Sequence, residues 1–198
     1  MTGEADPQLL TISRILEQLR SYFNYNAQRA LFLTGEPAHW ILRTRSAFKG
    51  AGPLFVENVF GEPYRFSGGQ NVYARQFNLE RKDSVSAPAV VNDGAKLWVL
   101  GIKTEGSDTI ISSWNGARTE VLGGLLYPAT TVSSTIPAFV DQNSESSYSY
   151  ALSNGVGTDY QQHVREARSG STKTLTAASV PDRGTASILP LYSGHGYP

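Results

Sequence analysis

The 198-residue chain contains no cysteine, so disulfide staples and thiolate metal sites are excluded and the redox compartment is not encoded in its composition. Charge is scarce as well. Only 17% of residues are Asp, Glu, Lys or Arg, and 17 basic side chains balance 17 acidic ones. A nucleic-acid binder needs a basic excess to displace counterions from phosphates, and this chain has none. No polybasic run marks an anionic membrane surface, and no apolar run approaches the roughly 18 residues that a bilayer span requires. The opening residues, MTGEADPQ, are acidic and lack the apolar core of a signal peptide. The three histidines, His39, His163 and His195, are scattered without i, i+4 or HxH spacing, so neither a zinc site nor a Ser–His dyad is supported. Gly68-Gly69 and Gly123-Gly124 are not phosphate loops, because neither is followed by Lys-Ser/Thr or opens a helix. They read as coil turns and crowded stacking positions, and no cofactor is expected.

What the chain does have is 10 Tyr, 8 Phe, 3 Trp and 19 Gly, with abundant Ser and Thr, the composition of a β-rich protein with many turns. Between Asn92 and Tyr127 these residues repeat. Gly94-Ala95-Lys96 returns as Gly116-Ala117-Arg118, and Val99-Leu100-Gly101 returns as Val121-Leu122-Gly123, each offset by 22 residues. A period of roughly 20–25 residues, carried by short apolar strands and Gly turns, is the mark of stacked solenoid coils.

Outside this repeat the chain divides into three parts. Asp6-Pro7 resembles a helix N-cap followed by proline at the first helical position. In the segment after it, free of Gly and Pro, Leu9, Ile12, Leu16, Leu19 and Phe23 are spaced 3, 4, 3, 4, the a/d seam of a heptad. The pattern predicts an N-terminal helix within residues 1–34, capping the open end of the solenoid or meeting symmetry mates around an axis. Residues 35–168 read as β-helix, with strands at His39–Arg45, Leu54–Val59, Tyr64–Phe66, Asn71–Asn78 and Ile136–Val140 and a polar loop over Arg81–Pro88. Gln161–Arg168 reads as a last strand or short helix. Residues 169–198 turn to Ser, Thr, Gly and Pro and read as an extended C-terminal arm, whose apolar patch Ile188, Leu189, Leu191 and Tyr192 is expected to dock on a neighbouring subunit.

The words GPLFVENVFGEPYRF, GQNVYARQFNLE, NDGAKLWVLGIKTEG and NGARTEVLGGLLY, within about residues 52–127, resemble the C-terminal coils of pectate-lyase-like right-handed parallel β-helix proteins. The resemblance implies strands stacked in parallel sheets, with inward apolar ladders such as Val99 over Val121 and Leu100 over Leu122. Polysaccharide-cleaving members of that superfamily carry their catalytic groups on coils upstream of these words, where this chain has its own N-terminal segment. The resemblance therefore transfers a fold and no catalytic residue.

The strongest enzyme-like constellation is Glu57, Glu80 and Glu105, at offsets of 23 and 25, one per coil at one corner if the coils run evenly. Carboxylates about 5 Å apart raise one another's pKa, hold a hard cation or match the acid and nucleophile of a retaining glycosidase. The plainer expectation is that these glutamates pair with Arg75 and Lys103, or with backbone amides, to satisfy coil turns. Trp40, Tyr64, Tyr73, Trp98 and Trp114 are candidates for a sugar-stacking surface, although strand alternation sends about half of such residues inward.

The sequence thus predicts a mainly β chain: a short right-handed parallel β-helix with an N-terminal α-helix and an extended C-terminal arm. The expected role is non-enzymatic and structural: a homotrimer that contacts other structural subunits through the arm. A virion decoration, capsid-stabilising or tail-associated protein fits that role, at a virion or cell surface. β-Helical segments that end a chain commonly associate as trimers in phage tail and decoration proteins. The alternative is a carbohydrate-binding or polysaccharide-degrading β-helix.

Overall fold

Strand alternation sets the architecture. In Leu54–Phe60, Leu54 and Val56 point into the core while Phe55 and Glu57 face outward. Asn71–Asn78 repeats the order, with Val72 and Ala74 buried and Tyr73 and Arg75 exposed. Each such strand is too short to fold alone and buries its apolar edge only against the next coil.

The computed structural model describes residues 10–13, 24–25, 31–34, 46–48, 52–61, 63–80, 87–153, 159–181 and 186–194. Its strands are β1 (Leu10–Ser13), β2 (Asn24–Tyr25), β3 (Leu31–Thr34), β4 (Ser46–Phe48), β5 (Leu54–Phe60), β6 (Tyr64–Ser67), β7 (Asn71–Asn78) and β8 (Val90–Asp93). They continue as β9 (Lys96–Thr104), β10 (Ile111–Trp114), β11 (Arg118–Leu126), β12 (Pro137–Gln142), β13 (Glu145–Ser153), β14 (Gln162–Arg168), β15 (Ser171–Thr176) and β16 (Ala186–Ser193). Sheet I runs β1-β3-β5-β7-β9-β11-β13-β16, and sheet II runs β15-β14-β12-β10-β8-β6-β4-β2. Each coil gives one strand to each sheet and every pair up to β13 and β14 is parallel, which makes the fold a β-solenoid.

The 22-residue repeat is one coil. Lys96 pairs with Arg118, Val99 with Val121 and Leu100 with Leu122. Neighbouring coils differ in length: Leu54 pairs with Val72, 18 residues on, Val72 with Leu97, 25 on, and Arg118 with Glu145, 27 on. The Val99–Val121 ladder lies in the core as expected. The Leu100–Leu122 ladder stacks in register but on the outside, because residues adjacent in a strand face opposite sides.

One backbone feature recurs at the same place in sheet I. Asn58, Gln76, Gly101 and Gly123 all have positive φ, between 48° and 83°. Each occupies the step between two registered pairs and adds one residue to the alternation, so that Val56 and Val59 both point inward. Stacked left-handed residues thus turn each strand at the same corner.

Two expectations change at the ends. The predicted N-terminal helix does not run through residues 1–34, since Leu10–Ser13, Asn24–Tyr25 and Leu31–Thr34 are strands of the two sheets. Leu10 pairs with Leu31, and Leu31 with Leu54. LTIS and LFLT carry period-two alternation as well as the heptad stripe, and pairing with the next coil decides between them. Residues 14–23 and 26–30 lie outside the described residues. The predicted C-terminal arm, in turn, folds back on its own chain. β15 pairs antiparallel with β14, and β16 antiparallel with β13, adding one strand to each sheet.

Candidate functional site

The three glutamates do not form a shared site. Glu57, in the middle of β5, is registered with Arg75 on β7 and forms an ion pair with it. Glu80 and Glu105 follow β7 and β9 and share one cation: Lys103 Nζ donates to Glu105 Oε1 at 2.5 Å and also to Glu80. Partial burial disfavours the Lys103 ammonium, but its bonds to Glu105 and Glu80 outweigh that and raise its pKa above the ordinary value. Uneven coil lengths separate Glu57 from the other two. The corner is a set of ion pairs in which each of the three glutamates has a basic partner on its Oε1.

The aromatics divide by alternation. Tyr64 lies in the core, and Trp40 lies outside the described residues. Tyr73 and Trp98 face outward from sheet I, where their rings stack at 5.0 Å and 8°. Phe55, which the sequence reading passed over, stacks on the other side of Tyr73 at 5.2 Å and 20°. A sugar binds to an exposed ring face, and both faces of Tyr73 are taken by its neighbours in the stack. Trp114 lies on the outer side of sheet II with the Arg65 guanidinium 5.7 Å from its ring centre. Arg65 also bonds Asp93 at 2.5 Å. Asn115 donates to Asp93 at 2.7 Å, and that bond, with Arg65, holds the Asp93 carboxyl below its ordinary pKa against a smaller effect of burial.

His163 is buried, with Nδ1 2.7 Å from the Tyr150 hydroxyl and Nε2 without a partner among the described residues. Burial lowers its pKa to about 4, so the imidazole stays neutral. His39 and His195 lie outside the described residues. Among those described, no group of His, Cys, Asp or Glu is arranged to hold a metal. Gly68 and Gly69 take positive φ at a turn. Gly124 is a crowded stacking position, where an added Cβ would lie 2.3 Å from Ile102 Cγ2.

The least expected chemistry lies inside the solenoid. The inner register of sheet II passes from Phe66 to Asn92, Ser113 and Asp141, becoming polar toward the C-terminal coils. Asn92 donates to Thr119 at 2.8 Å and accepts from the Ala95 amide at 3.0 Å, and Ser113 and Thr119 share a 2.7 Å bond. Asp141 is fully buried. It accepts from Ser146 and Tyr148, both at 2.8 Å. Burial raises its pKa to about 6, offset in part by those hydroxyls and reinforced by Glu166, its register partner. The sequence signal for this network was faint: short polar residues at positions where period two demands apolar ones.

The remaining predicted residues fall in different settings. Ile12 belongs to β1, paired with Leu33, while Leu9, Leu16, Leu19 and Phe23 lie outside the described residues. In β16, Leu189 is buried, Tyr192 is half-buried and donates to Glu166 Oε2 at 2.8 Å, and Ile188 and Leu191 are exposed. An open pocket of about 300 Å³ at the β14–β15 hairpin is lined by Glu166, Arg168, Ser169, Ser171 and Lys173. It offers serine hydroxyls but no histidine to activate them. No family model, characterised protein or solved structure matches the chain.

Proposed function

We propose that the protein is a non-enzymatic structural module, a β-solenoid that assembles with further copies of itself, with a virion decoration, capsid-stabilising or tail-associated role as its specific form. The Lys103 bridge between Glu80 and Glu105 carries the non-enzymatic half of this reading. It occupies both carboxylates of the strongest acid–nucleophile candidate, and Arg75 occupies Glu57. A trimer remains the proposed stoichiometry, by analogy with β-helical assemblies and not from the heptad. Kinship with pectate-lyase-like proteins likewise stays a proposal resting on residues 52–127.

Two measurements test the reading. Incubation with pectins and other acidic and neutral polysaccharides, followed by detection of new reducing or unsaturated ends, is expected to show no turnover. Product formation that disappears in Glu80→Gln would overturn the structural reading in favour of a lyase or glycosidase. Light scattering of the full chain is expected to give a multiple of the 21.5 kDa protomer mass, whereas a monomer would remove the self-assembly half.

A further inference from the structure

Every exposed large hydrophobic residue among those described (Tyr73, Leu100, Leu122, Leu125, Ile188 and Leu191) belongs to sheet I. Register places the five aliphatic ones side by side on its outer face. Leu100 pairs with Leu122, and Leu122 with Ser149. Ser149 lies opposite the bulge of β16 that contains Leu191, between the pairs Tyr148–Tyr192 and Tyr150–Leu189. A second row runs from Leu125 through Ala151 to Ile188. The first row crosses three strand spacings, about 14 Å, and the second two, about 10 Å, and the five aliphatic residues are each 38–65% exposed.

We infer that this leucine face of sheet I is the surface through which copies of the chain associate side by side; the inference rests on the self-assembly proposed above and locates its interface. Size supports a second copy as the occupant. The patch presents on the order of 500 Å² of apolar surface, the size of the largest patch on a typical monomer, which is often functional. Two such faces with their rims reach the roughly 1,200 Å² at which stable interfaces begin. The border supports it too. The cations next to the patch in register, Arg75 beside Leu100 and Lys103 beside Leu125, are already paired with Glu57 and with Glu80 and Glu105. Cations already neutralised within one chain neither repel an identical face nor select an anionic ligand. Stacking end to end is disfavoured at the C-terminal edge. There Pro190 interrupts β16 beside its bulge, and β15 is an exposed polar strand carrying Lys173. That edge is thus a poor stacking surface, which favours the lateral face.

The test compares the full chain with the triple variant Leu100→Ser, Leu122→Ser, Leu191→Ser by light scattering across a hundred-fold range of concentration. Circular dichroism confirms that the variant keeps its strands, and Leu122→Lys alone serves as a second, milder variant. The wild type is expected to be oligomeric. The triple variant is expected to be monomeric, and Leu122→Lys to need at least ten-fold more protein to assemble. A triple variant that keeps the wild-type mass would overturn this interface while leaving self-assembly intact. A monomeric wild type at every concentration would overturn both.

Discussion

At the scale of single residues, the buried titratable groups set opposing pH dependences. Asp141 holds its proton up to about pH 6, against an ordinary value of 3.8. Between those values the folded chain binds a proton that the unfolded chain has released, so stability falls as pH rises through this window, by about 3 kcal/mol. His163 acts in the other direction. Its pKa falls from 6.5 to about 4, so below pH 6.5 the unfolded chain takes up a proton that the folded chain refuses. Stability is then lost as pH falls, again by about 3 kcal/mol. In the native protein the two nearly cancel between pH 4 and 6. Urea midpoints at pH 7 and pH 4.5 should therefore separate them. Asp141→Asn should lose stability on acidification, and His163→Gln should gain it. Variants that both track the wild type would show that neither group titrates as its surroundings imply. The two adjacent glycines of β11 make a second contrast. Gly123 has a φ of 82° and open space around its missing Cβ, so Gly123→Asn is expected to change stability by less than about 1 kcal/mol, since Asn tolerates that region. A methyl on Gly124 would meet both the side chain and the carbonyl of Ile102, so Gly124→Ala should cost about 1–3 kcal/mol, measured by the same unfolding curves. Equal costs at the two positions would refute the distinction.

At the scale of elements, the sequence was most readable where coils are equal and least readable where they are not. The word pairs at 94–96 and 116–118 repeat because no insertion separates them, and the register follows directly. The glutamates were placed at one corner by offsets of 23 and 25, but the coil from Leu54 to Val72 takes only 18 residues and moves Glu57 out of line. The N-terminal segment satisfied two periods at once, and only its pairing with β3 and β5 favours the strand. The tail looked too polar to pack because its partners, Tyr148 and Tyr150, lie some 40 residues earlier in the chain. β16 is held there by Leu189 in the core, by Tyr192 stacked on Tyr148 with ring centres 6.2 Å apart, and by the Tyr192–Glu166 bond. Removing that hydroxyl with Tyr192→Phe should leave the central coils intact. The amides of Ala186–Ser193, apart from Pro190, which has none, should exchange with deuterium about ten-fold faster, the effect of losing roughly 1.5 kcal/mol of a hydrogen bond to a charged acceptor. Unchanged exchange in β16 would mean that backbone pairing alone holds the strand.

At the scale of the molecule, a solenoid is a one-dimensional stack in which each coil touches only its neighbours. Its unfolding should depend on where a lesion lies, a property that no single residue reveals. Leu97 sits fully buried in β9 with parallel strands on both sides, whereas Leu189 is equally enclosed in a strand with a partner on one side only. Truncating either to Ala removes the same atoms, and in a uniform globule both would lower global stability by the usual 2–5 kcal/mol, in round terms about 3. In a stack, Leu97→Ala weakens the two interfaces that join the halves, so amide exchange should quicken throughout β7, β9 and β11. Leu189→Ala should quicken exchange in β16 and β13 alone, because the cap opens without parting the coils beneath it. Strand-resolved hydrogen exchange of the two variants decides between these pictures. Identical patterns would mean that the solenoid melts as one cooperative unit. Distinct patterns would mean that the central coils stay paired while the cap opens, so that the Leu100, Leu122 and Leu125 part of the face can hold a neighbour even as Ile188 and Leu191 fray with β16.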